Sequence, residues 1–391
     1  MKDFRLLILN ILLPFLGCVE AIANEVCLDS VEISVLTCQP GKAIHEAYGH
    51  TALRVHDLRQ GGADEVLNYG TFSYGEPHFL WRFLRGRAAY WLSCYDYELF
   101  LHEYEREGRG VTEQVLHLTP EEKERLMAAL RENLQPGNSQ YVYNFLYDNC
   151  TTRAIRQVES AVGQNAVIYP PLRGEVTFRQ LVNGHLQAQP WNRLGIALML
   201  GAEVDRPINV RQTMFAPLWA ERWLDSAVCH RPEGDAPLLE AKRALLPPAE
   251  TSGQQSSILT PLLVFGLLWM AVVFCTVYVR RGRRWGLAFD TLWFTLQGVT
   301  GGLIALLFFA SDHPAVDSNW NLLWLNPLAL AIVPLLYLKE WRKTRRTAFG
   351  VFIVLHLTFI AITLLGIQRS GWDVLLLMLT PTVRLLRQWK R

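Results

Sequence analysis

The chain has 391 residues, of which 50% are hydrophobic and 19% charged, and its formal net charge is +2. Residues 24–256 carry 22 Lys and Arg against 29 Asp and Glu, a net −7, whereas residues 257–391 carry 14 against 5, a net +9. The mixture excludes one uniform soluble fold, and the acidic part lacks the clustered bases that nucleic-acid binding needs, so no nucleic-acid partner is expected.

Residues 1–23 read as a secretory signal. Lys2 and Arg5 precede an apolar core from Leu6 to Gly17, and Ala21-Ile22-Ala23 has the small-x-small pattern of a cleavage site. Gly17-Cys18 hints at lipoprotein processing, but Phe15-Leu16 before it fits poorly. Of the seven cysteines, Cys18 leaves with the signal and Cys275 lies in an apolar stretch. Cys27, Cys38, Cys94 and Cys229 remain with Cys150 in an oxidising compartment, where four cysteines allow three pairings and the fifth is left as a reactive thiol.

Residues 24–245 are expected to form an α+β domain with a small sheet and several helices. Glu32–Thr37, His50–His56 and Val66–Phe72 alternate as strands do. On the second strand Thr51, Leu53 and Val55 share one face, with His50, Ala52, Arg54 and His56 on the other. The aromatic run Phe79–Phe83 through Tyr90-Trp91 has three open fates: core packing, lining of an apolar groove, or rest on a bilayer surface. Glu103–Arg109 reads as a solvated face. Thr119 as N-cap and Pro120 at the first helical position open a helix running through Leu130.

Tyr143–Arg153 (YNFLYDNCTTR) carries the chemistry. Asp148-Asn149 are good N-cap residues, which sets Cys150 in the first turn of a helix. There the helix dipole and unpaired backbone N–H groups favour a thiolate and can stabilise an oxyanion. A structural cysteine or half a disulfide is the competing reading. A cysteine nucleophile needs a base, and His50, freed by Gly49 at the head of its strand, is the candidate. Asn149 can act as an oxyanion donor or only as a cap. Arg153, one turn above Cys150, can grip a phosphate or form a surface ion pair. No tight Cys/His spacing suggests a metal, and no cofactor is expected.

Residues 246–257 are polar, helix-poor and linker-like. Beyond them the spans 258–279, 287–310, 322–338 and 349–366 are apolar, with Arg280–Arg284 and Lys339–Arg346 marking alternate loops as cytoplasmic. Residues 372–389 suit either a short fifth span or an interfacial helix. A helical membrane domain of four or five spans is thus expected in the cytoplasmic (inner) membrane, with residues 24–256 outside, in the periplasm.

Several separated motifs resemble the Lnb family: Val35-Leu36-Thr37-Cys38-Gln39-Pro40-Gly41, Tyr48-Gly49-His50-Thr51-Ala52-Leu53-Arg54-Val55, Asn68-Tyr69-Gly70-Thr71-Phe72, Phe83-Leu84-Arg85-Gly86-Arg87, Glu107-Gly108-Arg109-Gly110-Val111 and DNCTTR. The pattern departs at Gly110, where the family more often has Ser. The resemblance covers residues 31 to about 225 and reaches the outer loop at His313-Pro314 and Asn319–Pro327. It implies a lipoprotein N-acyltransferase that takes its acyl chain from a membrane phospholipid and gives it to diacylglyceryl lipoproteins. The His-before-Cys order is similar to circularly permuted papain-like enzymes, NlpC/P60 and lecithin:retinol acyltransferase types. That analogy implies a permuted papain-like domain with Cys150 as nucleophile, His50 as base, and Asn68, Tyr69 or His56 as the orienting group. Tyr48, Asp148, His313, Asn319 and Asn321 fall at candidate substrate-binding positions. The alternatives are a cell-wall peptide amidase with the same Cys/His apparatus, for which several spans are hard to explain, and a non-enzymatic envelope assembly or binding protein with a structural Cys150.

Overall fold

The computed structural model describes residues 28–163, 166–232, 234–247, 258–278 and 283–389. The signal segment, Cys18, Cys27 and nearly all of the expected linker lie outside them. In chain order the described elements are β1 (Val31–Cys38), β2 (His50–Asp57), β3 (Asp64–Thr71), α1 (Phe79–Leu84), β4 (Ala89–Asp96), α2 (Tyr97–Glu107), β5 (Val111–Leu116), α3 (Pro120–Leu134), β6 (Gln140–Val142), α4 (Cys150–Val162), β7 (Val167–Ile168), α5 (Phe178–His185), α6 (Pro190–Met199), α7 (Val210–Thr213), α8 (Pro217–Leu224), β8 (Val228–Arg231), β9 (Gly234–Pro237) and β10 (Leu239–Leu246). Then follow α9 (Pro261–Tyr278), α10 (Arg283–Ala310), α11 (Ala329–Tyr337), α12 (Arg342–Leu364) and α13 (Trp372–Trp389). Two compact units result, one from residues up to Val176 with Ile208–Gln254, the other from Thr177–Pro207 with Gln255–Arg391. The 177–207 segment, which lies within the expected 24–245 domain, groups with the C-terminal helices.

The first unit is α+β, as expected, but its sheet is larger than a small one. Seven strands run in the order β10-β5-β1-β2-β3-β4-β6, every pairing antiparallel, beside a three-stranded β7-β8-β9 sheet. Strand alternation gives the large sheet two apolar faces. Ile33, Val35, Leu53, Val55, Leu67 and Tyr69 pack with Leu126, Met127 and Leu130 of α3 and Ala154, Ile155 and Val158 of α4. Leu36, Cys38, Ala52 and Val66 pack with Phe100 and Tyr104 of α2 on the reverse. The α3 and α4 helices start where their capping residues place them. Thr119 and Glu122 close a capping box on α3 with Pro120 in its first turn, and Asn149 and Thr152 close another on α4.

Burial overrides two expectations. Cys38 and Cys229 are free, each buried in a core on opposite faces of the sheet, so they cannot join a two-bridge framework; Cys94 is disulfide-bonded. Glu103, Glu105 and Arg106 are exposed, but Arg109 is buried, bonded to Gln39 O and Glu107 and stacked on Tyr104.

In the second unit three helices, Pro261–Tyr278, Arg284–Ala310 and Arg342–Leu364, are long and apolar enough to cross a membrane. The expected third span is interrupted: residues 320–323 form a 3-10 turn, and α11 holds only nine residues, about 14 Å of helix. Helix α13 buries Asp373, Thr380, Thr382 and Arg384 while exposing Trp372 and Leu386. Arg384 pairs with Asp290 of α10 at 2.6 Å and reaches Thr276 of α9. A polar face turned inward is the opposite of what an interfacial helix presents to water. The inserted segment is tied into this unit by polar bonds. Arg179 pairs with buried Asp205 at 2.8 Å and donates to the carbonyls of Leu200 and Gly201, while Arg369 N donates to Asp205.

Candidate active site

Cys150 opens α4, and its position follows from the cap. The Asn149 side chain accepts from Thr152 N, and the Thr152 hydroxyl accepts from Asn149 N at 2.8 Å. Asn149 Nδ2 is spent on the carbonyls of Phe145 and Phe215, so this residue holds the turn and offers no side-chain donor to an oxyanion. The thiol is free and half-buried, next to the Thr151 hydroxyl at 3.8 Å, and Thr151 in turn meets Thr51 of β2 at 3.1 Å.

His50 begins β2 after Gly49, which has φ +85° and sits where a Cβ would lie 2.5 Å from Cys38 O. Its Nε2 lies 2.9 Å from Asn68 Oδ1. The ring lies near enough to Cys150 for the two to interact electrostatically, and with Nε2 engaged by Asn68 the nitrogen left for the sulfur is Nδ1. Burial resists ionisation of the thiol, but the charge and hydrogen bond of His50, then the Thr51 backbone N–H and the Thr151 hydroxyl, outweigh it and lower the Cys150 pKa from its ordinary value. Burial likewise disfavours the imidazolium, yet Cys150 and Asn68 prevail and raise the pKa of His50. Both shifts favour a thiolate–imidazolium pair, the resting form of an activated cysteine nucleophile.

Cys150 packs over Gly70, which follows Asn68 on β3. Pairing of Arg54 with Val66 sets His50 opposite position 70 by antiparallel count. Gly70 has φ +89°, and a Cβ there would lie 3.4 Å from Cys150 Cβ and 3.8 Å from the Tyr143 ring. The β3–β4 register also shifts between Asn68 and Thr71, an irregularity of the kind that re-aims side chains beside sites. Sequence reasoning passed over Gly70, although a glycine inside a strand pattern is a signal for close approach.

Of the other candidates in the first unit, Asn68 bonds to His50, and the remaining ones have partners of their own. Tyr69 points away from Asn68, into the core shared with α4, where its hydroxyl accepts from Asn133 Nδ2 at 3.0 Å. His56 is at the far end of β2, six residues or about 20 Å away, beside Arg54 and Asp64. Arg153 is ion-paired with Asp148 at 2.8 Å and stacked over the Tyr141 ring at 3.6 Å. Asp148 also receives Arg156. Tyr48 is buried edge-on to Phe145. His313, Asn319 and Asn321 belong to the second unit. There Asn319 and Asn321 give their amides to the Leu198 carbonyl, and Asn321 Oδ1 accepts from Trp324, so both act as tethers of the inserted segment. Tyr141 was not singled out from sequence. Its hydroxyl is buried and has no partner among the described residues, and Cys150 is among the charges that keep it protonated, after burial itself. A groove of about 560 Å³ flanks α4 between Ile155, Glu159 and Gln212, but neither Cys150 nor His50 lines it; the chemistry is assigned by the thiol and not by that cavity.

The first unit is an α+β domain with a cysteine–histidine pair at a helix N-terminus, and the second holds apolar helices long enough to cross a membrane. Residues 19–184 match the Lnb N-terminal periplasmic domain and residues 253–389 the Lnb transmembrane domain. The chain belongs to the Lnb family, and it is a multi-pass inner-membrane protein with a periplasmic domain. No curated protein and no solved structure matches the chain significantly.

Proposed function

We propose that the chain is a lipoprotein N-acyltransferase working through a Cys150 thioester. The observation that carries this reading is the Cys150–His50–Asn68 arrangement in a protein anchored among lipids. The Cys150 thiolate attacks an ester carbonyl of a membrane phospholipid. The tetrahedral oxyanion draws on the N–H groups of the α4 N-terminus and, as the side-chain donor we assign, the Tyr141 hydroxyl. His50 then protonates the departing glycerol oxygen, leaving a lysophospholipid and an acyl thioester. The α-amine of the lipid-modified N-terminal cysteine of a lipoprotein attacks the thioester carbonyl, His50 accepts the amine proton, and the thiolate leaves. The product is an N-acyl amide and the resting pair is restored. Anchorage supports this chemistry, since confining donor, acceptor and enzyme to one bilayer raises effective concentration.

The test is mass spectrometry of a recipient lipoprotein from cells with and without this chain. One added fatty acyl group on the N-terminal cysteine amine, present only with the chain, is the expected result. An unchanged lipoprotein together with altered cell-wall peptides would favour an amidase.

A further inference from the structure

The structure divides the aromatic run that follows β3. Phe72 and Phe79 stack with centroids 5.3 Å apart, and Tyr90 packs tilted against Phe72 at 5.1 Å. Outside this layer Tyr74 is 72% exposed, Leu80 68%, Trp81 46% and Phe83 41%. Single exposed apolar residues are ordinary, but four on one short turn-and-helix segment over a rigid aromatic layer form a patch.

We propose that this face of the first unit seats on an anionic phospholipid surface. Charge favours that occupant over a second copy of an acidic domain: residues 72–87 hold Arg82, Arg85 and Arg87 against Glu76 alone, a local +2 within a part whose net is −7. Arg82 and Arg87 are exposed beside the apolar residues, and Arg85 lies over the Trp81 ring. Trp and Tyr beside Arg is the composition of a bilayer interface, where rings sit at headgroup depth and guanidinium groups meet phosphates. The chain supplies its own lipid surface, because membrane-crossing helices begin at Pro261, shortly after the unit ends. The buried layer also continues to the thiol: Tyr90 stacks on Tyr143 at 4.3 Å, and Tyr143 and Cys150 both border the space above Gly70. Docking rests on this surface and the anchorage, not on the acyl-transfer reaction.

The test uses the full chain with Cys150→Ser and Cys275→Ser, which cannot turn over, in nanodiscs with roughly one-third anionic phosphatidylglycerol in phosphatidylcholine. A nitroxide is attached at Leu80→Cys or, as a control on exposed α2, at Glu105→Cys. Collision with oxygen and with a water-soluble nickel chelate is read by power saturation. The label at 80 is expected to favour oxygen severalfold over the control, and Arg82→Glu or purely zwitterionic discs should reduce that preference. Equal, water-like behaviour at both positions would overturn the proposal. Shielding of position 80 from both reagents would also overturn it, since a protein partner would then cover the face. Equal lipid depth with and without anionic lipid would overturn the charge assignment. Because no catalysis is measured, failure here and failure of the acyltransferase reading are separable.

Discussion

His50 Nε2 and Asn68 Oδ1 lie 2.9 Å apart across neighbouring strands, and this contact makes Asn68 the candidate for orienting the base in the proposed reaction. Asn68 accepts from the imidazole and favours its charged form. Asn68→Ala should therefore lower the pKa of His50 and draw the alkaline limb of the activity profile to lower pH. The loss in kcat is expected at about 10- to 100-fold, as for other orienting partners. A pH–rate profile of purified enzyme checks this, and an unshifted alkaline limb would reduce Asn68 to a packing role.

The same reasoning gives a direct titration of the thiol. The Cys150 pKa is held below its ordinary 9.0 chiefly against burial, by His50. In His50→Ala that support is lost while burial remains, so the thiol pKa should rise above the ordinary value. Alkylation of the Cys150 peptide, followed by mass spectrometry across pH, should persist toward acid in the wild type and retreat toward alkali in the variant. Matching profiles would mean the two side chains are not coupled.

His50→Ala and Cys150→Ala should each remove nearly all transfer activity, and the double variant should be scarcely worse. A nucleophile and its base act in one step, so their losses do not add. Independent, multiplying losses in single-turnover assays would separate them. Tyr141→Phe, which removes one hydroxyl, is expected to lower kcat by about 10- to 100-fold while sparing alkylation of Cys150.

Enzyme supplied with phospholipid but no amine should stall with one acyl chain on the Cys150 peptide, because water is a slow substitute for the amine in an apolar site. Neutral hydroxylamine and a lipoprotein peptide with a free α-amine should both discharge it; an N-acetylated peptide should not. Measurable transfer without any adduct would point to direct transfer.

The inward polar face of α13 predicts that this helix crosses the membrane as part of the bundle, which puts the C-terminus in the cytoplasm. An impermeant thiol reagent applied to single-cysteine variants should label position 316 and spare position 282 and a cysteine appended after Arg391. Labelling of the appended cysteine from outside would restore the interfacial reading. Removing one partner of the buried pair, Arg384→Ala or Asp290→Ala, should destabilise by about 3–5 kcal/mol, with partial recovery in the double variant.

Local chemistry made much of this protein legible in its sequence. Caps are short-range, so Asn149 announced the α4 start and with it the place of Cys150, and Thr119-Pro120 announced α3. Strand alternation announced β1, β2 and β3, and continuous apolar length announced the membrane helices, since a bilayer imposes a minimum span. Long-range decisions were not written locally. Whether Asn68 or Tyr69 faces His50 depends on strand parity and on the pairing of Arg54 with Val66, which tertiary packing sets. Whether position 70 leaves room for the thiol depends on where α4 crosses β3. The same holds for Cys38 and Cys229, buried on opposite faces of one sheet, and for Arg384, whose charge could face water or an aspartate with equal periodicity. Segment 177–207 is the clearest case: its helices look like the rest of the domain in sequence, and long-range contacts, among them the Asp205, Asn319 and Asn321 hydrogen bonds and the packing of Leu194 with Trp324 and Phe359, group it with the membrane unit.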